Sequence, residues 1–281
     1  MRQNTRPQAV HAARLVVSAA LAALLALPAA GCKTTDGDIT GSLGLARADP
    51  QPAAPRTEAG WRQQMAVWGP RYRANQGDAR AAIAYADALR HIGQRAQAVA
   101  VLQTASIRNP HNKKVLGAYG RALADAGRLK EALDALTRAH TPDNPDWRIL
   151  NAQGAVLDQM GRHRDAQRHY RAALNLMPNE PSVLSNLGLS YALEKRLKQA
   201  ETVLRQAAAQ PSAAPKVRQN LALVVGLEGR FAEAERIASA DLPPKEAQAN
   251  IAYLRKMLAK KNAFSAGKER PPYVPAPKAG T

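Results

Sequence analysis

Cys32 is the only cysteine among 281 residues. A lone thiol has no partner for an internal disulfide, so its chemistry is limited to pairing between molecules, staying free, or being modified. Among the six histidines, His163 and His169 stand closest in sequence. A spacing of six does not bring two side chains onto one helix face, so these imidazoles read as surface residues rather than metal ligands. No metal and no cofactor is expected. The sequence holds no Gly-x-Ser-x-Gly, no phosphate loop ending in Gly-Lys-Ser/Thr, no His-Glu-x-x-His and no cysteine pair. Nothing converges on catalysis, and the chain is expected to act through a binding surface rather than as an enzyme.

The surroundings of Cys32 narrow its chemistry. Arg2, Arg6 and Arg14 precede an almost uninterrupted apolar run from Leu15 to Leu27, and Ala29, Ala30 and Gly31 stand just before the thiol. Charged, apolar and small residues in that order form an export signal, expected over residues 1–31. The run falls short of the ~20 residues that cross a bilayer, and Pro28 ends it. The stretch AAGCK resembles the lipobox of bacterial lipoproteins, which implies cleavage before Cys32 and acylation of its sulfur and new α-amine. Two or more acyl chains anchor stably. Lys33, in place of the aspartate that retains such lipoproteins in the inner membrane, implies the periplasmic side of the outer membrane. Ordinary cleavage to a soluble secreted protein is the alternative. Residues 32–56, rich in Gly, Pro, Asp, Ser and Thr, read as a flexible tether.

Behind the tether a composition of 46% hydrophobic but 4% aromatic residues calls for a core of Ala, Leu and Val, which suits close-packed helices. Self-comparison shows a period of 34. Ala98, Ala132, Ala166, Ala200 and Ala234 recur without a gap, as do the small residues Ala86, Gly120, Gly154, Gly188 and Ala222. Turn glycines Gly93, Gly127, Gly161 and Gly229 share the register, with Lys195 the one exception. A small residue on a first helix and an alanine on a second let two backbones approach, while Leu102, Leu136, Tyr170 and Leu204 fill the space between hairpins. The unit is identified as the tetratricopeptide repeat, a hairpin that buries its face only by stacking on its neighbours. The expected fold is an all-α solenoid with repeats over 79–112, 113–146, 147–180 and 181–214, and a degenerate fifth over 215–240.

A solenoid needs caps. Trp61, Met65, Trp68 and Tyr72 form a helical stripe, with a kink expected at Pro70, so an N-terminal capping helix is placed within 57–78. A C-terminal capping helix is placed at 243–261, and residues 262–281 read as a disordered tail. The net charge of +18 falls to +15 once a signal carrying Arg2, Arg6 and Arg14 is removed. Basic residues are scattered among acidic ones and no groove-reading motif appears, so nucleic acid is not expected as a partner.

First helices of such repeats line a concave groove, which the fifth, sixth, ninth, twelfth and thirteenth positions should face. In the first two repeats these include Asp87, Arg90, His91, Arg121 and Asp125. At the other end they are Asn186, Leu189, Leu193, Asn220, Leu223 and Leu227, extended by Asn250 and Tyr253. The asparagines would bond the backbone of a bound strand and the leucines would take its side chains. The alternative is that a C-terminal helix covers the leucines and neighbouring helices satisfy the asparagines.

The signal, the tether, the stretch WRQQMAVWGPRYRANQGD and the ending QNLALVVGLEGRFAEAERIASADLPPKEAQANIAYLRKML together resemble the TadD-type repeat lipoproteins of tight-adherence (Flp) pilus machines. That resemblance implies an outer-membrane scaffold or pilotin whose partners belong to a pilus or secretion machine, a secretin among them. Two alternatives stay open: an adaptor regulating a cell-wall enzyme, and an accessory of outer-membrane protein assembly.

Overall fold

The computed structural model describes residues 57–265. The segments expected to be a signal (1–31) and a tether (32–56), Cys32 among them, and residues 266–281 lie outside them. Among the described residues twelve helices follow one another: α1 (Glu58–Ala74), α2 (Ala79–His91), α3 (Arg95–Arg108), α4 (Lys113–Asp125), α5 (Leu129–Arg138), α6 (Trp147–Gln159), α7 (His163–Leu176), α8 (Pro181–Leu193), α9 (Leu197–Ala208), α10 (Pro215–Leu227), α11 (Phe231–Ala238) and α12 (Pro244–Ser265). Among the described residues there is no strand beyond an isolated bridge between Thr141 and Asn144.

Each first helix starts where an acceptor stands. Asp78, Asn112, Asp146 and Glu180, 34 residues apart, accept backbone N–H groups from the first turns of α2, α4, α6 and α8. At the fifth place Ala214 has no such side chain, and Pro215 opens α10 with its fixed φ. First helices end where the backbone turns left-handed, at Gly93, Gly127, Gly161 and Gly229. Lys195 adopts the same conformation, with φ 64°. The exception in the glycine series therefore keeps the turn and bears a steric cost of about 1 kcal/mol for it.

Packing within each hairpin is set by a pair sixteen residues apart. A Cβ added at Gly120 would stand 2.6 Å from Leu136, at Gly154 2.5 Å from Tyr170, and at Gly188 2.6 Å from Leu204. The five alanines at the second-helix position are all fully buried. Successive first helices also touch one another directly, forming one layer, with the second helices forming the other.

At the start, α1 packs on α2 through buried Tyr72, with Met65 and Trp68 against the same core. Trp61 stacks on His91 with ring centroids 3.8 Å apart. The helix continues through Pro70 rather than ending there. At the other end α12 packs on α10 and α11, and Leu254 occupies the space that a side chain at Gly226 would need. It runs to Ser265, so residues 262–265, expected in a tail, are helical.

Second helices carry a recurring link of their own. Arg128, Arg162, Arg196 and Arg230, each preceding its helix, bond Glu131, Asp165, Gln199 and Glu233 three residues on. In the last hairpin this link joins a network around Glu201, a buried residue of α9 that accepts from Arg205 at 2.8 Å and Arg230 at 2.7 Å. Burial alone would push the Glu201 carboxyl up, but the arginine hydrogen bonds outweigh it and hold the pKa at about 2, against an ordinary 4.5. A depressed carboxylate stabilises the fold above the unfolded pKa and stops doing so as pH falls through the folded one. Glu201→Gln is therefore expected to lose about 1.5 kcal/mol near neutrality, as charge-assisted hydrogen bonds do. Denaturant melts should show its gap to wild type closing as pH falls from about 4.5 to 2. A gap independent of pH would contradict this.

Candidate protein-binding cleft

Because first helices form one layer, side chains on their outer face meet across neighbouring repeats. Around α4, α6 and α8 they enclose a concavity of about 430 Å³. Arg90 reaches it from α2, and Arg121, Ala124 and Asp125 from α4. From α6 come Trp147, Arg148, Asn151, Ala155 and Gln159, and from α8 Ser182 and Asn186. The lining draws on the first four repeats and mixes charged and amide side chains with Ala124, Leu136, Trp147, Ala152, Ala155 and Val156.

The charges there are unevenly matched. Arg90 lies between two carboxylates, 2.6 Å from Asp125 and 3.2 Å from Asp87. Arg121, half-buried, makes neither a hydrogen bond nor an ion pair among the described residues, and burial followed by the nearby Arg90 guanidinium lowers its pKa from the ordinary value. Arg148 is exposed and lies over the Trp147 ring, 4.5 Å from its centroid. Asn186 donates through Nδ2 to Oδ1 of Asn151 at 2.9 Å, tying α8 to α6 inside the cleft.

Of the residues expected to face the groove, Asp87 and His91 thus lie outside the concavity, whereas Arg90, Arg121, Asp125 and Asn186 line it. Asn220, one period further on, is not open to a ligand: it is buried and donates to the Ser185 hydroxyl at 2.9 Å. Its amide is spent joining α10 to α8. Leu189, Leu193, Leu223 and Leu227 are half-buried on α8 and α10, outside the cleft, as is Asn250 on α12. Tyr253 is 53% exposed. The cleft residues Trp147, Arg148, Asn151 and Gln159 were missed, although Asn151 and Gln159 hold the fifth and thirteenth positions of the third repeat, whose register was already known.

Two histidines also differ from expectation. His163, half-buried, places Nδ1 2.8 Å from Asp158. His169 is half-buried with an unbonded Nδ1, and burial, then His140, pushes its pKa down. Asp158 accepts from Ser190 at 2.8 Å and from Tyr170 at 3.0 Å as well. Serine, histidine and aspartate side by side suggest nucleophilic catalysis, but Ser190 is fully buried and donates to the carboxylate rather than to the imidazole. This cluster joins α6, α7 and α8. Among the described residues no three His, Cys, Asp or Glu side chains gather as a metal site, and no helix is long and apolar enough to cross a membrane.

Tetratricopeptide-repeat family models match residues 93–154 and 151–215. A search of curated proteins by sequence finds no match. Among solved structures the chain is similar to PilW, described as a widely conserved type IV pilus biogenesis factor, with a TM-score of 0.60 and 16% identity over 69% of this chain and 91% of that one. It is similar to the APC/C hetero-tetramer Cut9–Hcn1, with a TM-score of 0.56 and 14% identity over 74% of this chain and 44% of that one. PilF of Pseudomonas aeruginosa gives 0.50 and 18% over 74% and 90%. At these identities the likeness is one of fold. With the helix pairs in a 34-residue register and the repeat models over 93–215, the protein is a tetratricopeptide-repeat solenoid, a scaffold for protein–protein interaction.

Proposed function

We propose that this protein is a lipid-anchored scaffold on the periplasmic side of the outer membrane that holds protein partners during assembly of a tight-adherence (Flp) pilus. The observation that carries the reading is the cleft across α4, α6 and α8, a concave surface of mixed charged, amide and apolar side chains drawn from four repeats and suited to an extended protein segment. The resemblance of both chain ends to TadD-type lipoproteins supports the pilus context. So does the fold shared with PilW, a pilus biogenesis factor. Acylation of Cys32 would keep the solenoid within reach of a secretin through a tether of 25 residues.

Affinity capture from detergent-extracted membranes, followed by identification of the bound proteins, tests the reading. Pilus or secretion components, a secretin included, are the expected catch. A cell-wall hydrolase or synthase, or outer-membrane barrel precursors, in their place would overturn it. Cys32→Ser is expected to leave the solenoid folded but move it from the membrane to the soluble fraction. An unchanged distribution would remove the lipid anchor.

A further inference from the structure

We propose that the two ends of the solenoid dock on each other between molecules: α12 of one copy takes α1 of a second copy as its missing second helix, joining copies head to tail in the register of the repeats.

α1 is built as a second helix. At its end the Asn75 N–H donates to the Arg71 carbonyl and the Asn75 carbonyl accepts from Asp78, and 34 residues on Asn109 does the same with Ala105 and Asn112 at the end of α3. Shifted by one period, Gln64, Val67 and Trp68 correspond to Ala98, Val101 and Leu102. The latter three are at most 5% exposed, packed within their hairpin. Val67 is 44% exposed and Gln64 and Trp68 are half-buried, for among the described residues no first helix precedes α1. The period would place one at 45–57, a stretch holding Pro50, Pro52 and Pro55, and proline disfavours a helix interior.

α12 is built as a first helix. Asn250, Ile251, Ala252 and Leu254 repeat the pattern of Asn220, Leu221, Ala222 and Val224, and Ile251 and Leu254 are buried as Leu221 and Val224 are. Ala222 is 3% exposed, in the hairpin that α11 closes. Ala252 is exposed, as are Ala249 and Ala259 on the same face, and among the described residues no second helix follows α12.

The two open faces are complementary. In a closed hairpin the small residue of the first helix meets a large one on the second, and it also approaches the backbone of the second-helix alanine, as Gly120 does Ala132. In the head-to-tail contact Ala252 is the small residue, Trp68 the large one, and Gln64 stands at the alanine position. Five hairpins lie between α1 and α12, on the order of 50 Å at ordinary helix spacing, so another copy must bring the faces together. The contact is heterologous and does not close, so it builds open rows. It is independent of what the cleft binds. Exposed cations outnumber carboxylates on both helices: Arg62, Arg71 and Arg73 against Glu58 on α1, and Lys245, Arg255, Lys256 and Lys260 against Glu246 on α12. Apolar packing that works against this repulsion strengthens as salt screens it.

Disulfide cross-linking of the full chain carrying Cys32→Ser tests the contact, since introduced cysteines are then the only thiols. Gln64→Cys mixed with Ala252→Cys should form a covalent dimer on oxidation. Its yield should exceed by at least about tenfold that of either variant alone, or of Ala252→Cys mixed with Ile107→Cys on α3, because disulfides form only at close Cα spacing. Sedimentation of the same chain, in mild detergent, should show a mass that rises with protein concentration and with salt. Ala252→Trp should keep the wild-type helical signal and stay monomeric, yet shorten rows of the parent chain when added to them, because its own α1 still docks. Rows that weaken with salt would remove apolar packing as their cause and sink the proposal. Gln64→Cys cross-linking as readily to itself would replace the head-to-tail contact with a symmetric one. A monomer at every concentration, with no cross-link, would overturn the contact and leave the ends to be covered by the chain's own segments.

Discussion

Gly154→Val is expected to lose about 3 kcal/mol of stability, more than any surface change in this protein. Even a single Cβ at position 154 would stand 2.5 Å from Tyr170 Cε1 and 2.8 Å from two more ring atoms. The ring cannot step aside, because it is 1% exposed and its hydroxyl is bonded to Asp158. The gain of a few tenths of a kcal/mol from replacing a helical glycine does not offset such a clash. Repeats share stability with their neighbours, so disruption of the third hairpin should broaden the whole transition. Circular dichroism during thermal melting reads both effects. The first repeat supplies a control, since it sets Ala86 against Leu102, both buried. Gly154→Ala with Tyr170→Leu copies that pair and should be more stable than Gly154→Ala alone. Wild-type melting of Gly154→Val would mean that α6 and α7 do not pack as described.

The second large effect belongs to Asp158. Its replacement by leucine would leave Ser190, Tyr170 and His163 without the acceptor that joins α6, α7 and α8. Stranding buried donors costs about 1–3 kcal/mol each, and partial rearrangement should bring the total to about 3. Asp158→Asn should be far milder, because the amide oxygen can replace Oδ1 and the Tyr170 oxygen can accept from the new NH₂. The two carry opposite lessons about charge. Burial pushes the Asp158 carboxyl up, and the hydrogen bonds from His163, Ser190 and Tyr170 only partly oppose this. A raised pKa makes the group's contribution to stability fullest below the unfolded value, and that contribution fades as pH rises through the folded one. The stability of Asp158→Asn relative to wild type should therefore improve as pH rises through the carboxylate range. Chemical denaturation at several pH values measures it, and a relative stability that worsened with rising pH would contradict the sign.

Much of this fold is legible in the residues because its determinants are short-range and repeated. A hairpin closes when a small residue meets a large one sixteen positions later, and Gly120, Gly154 and Gly188 with Leu136, Tyr170 and Leu204 state that requirement three times. The capping acceptors Asp78, Asn112, Asp146 and Glu180 state the start of each first helix in the same register. Cys32 owes its reading wholly to local order in the chain. The cleft was legible only in part: the groove register reaches Arg90, Arg121, Asp125 and Asn186 but not Trp147 and Arg148, and a site arises where repeats differ. Asn186 and Asn220 hold one position of the register, yet the first lines the cleft on Asn151 and the second is buried on Ser185. Lys195 is left-handed against its own preference, at the turn between the packed helices α8 and α9. Which arginine is left without a direct ion pair depends on which carboxylates its neighbours on other helices engage. Such pairings form across the stack of helices, and no local pattern along the chain encodes them.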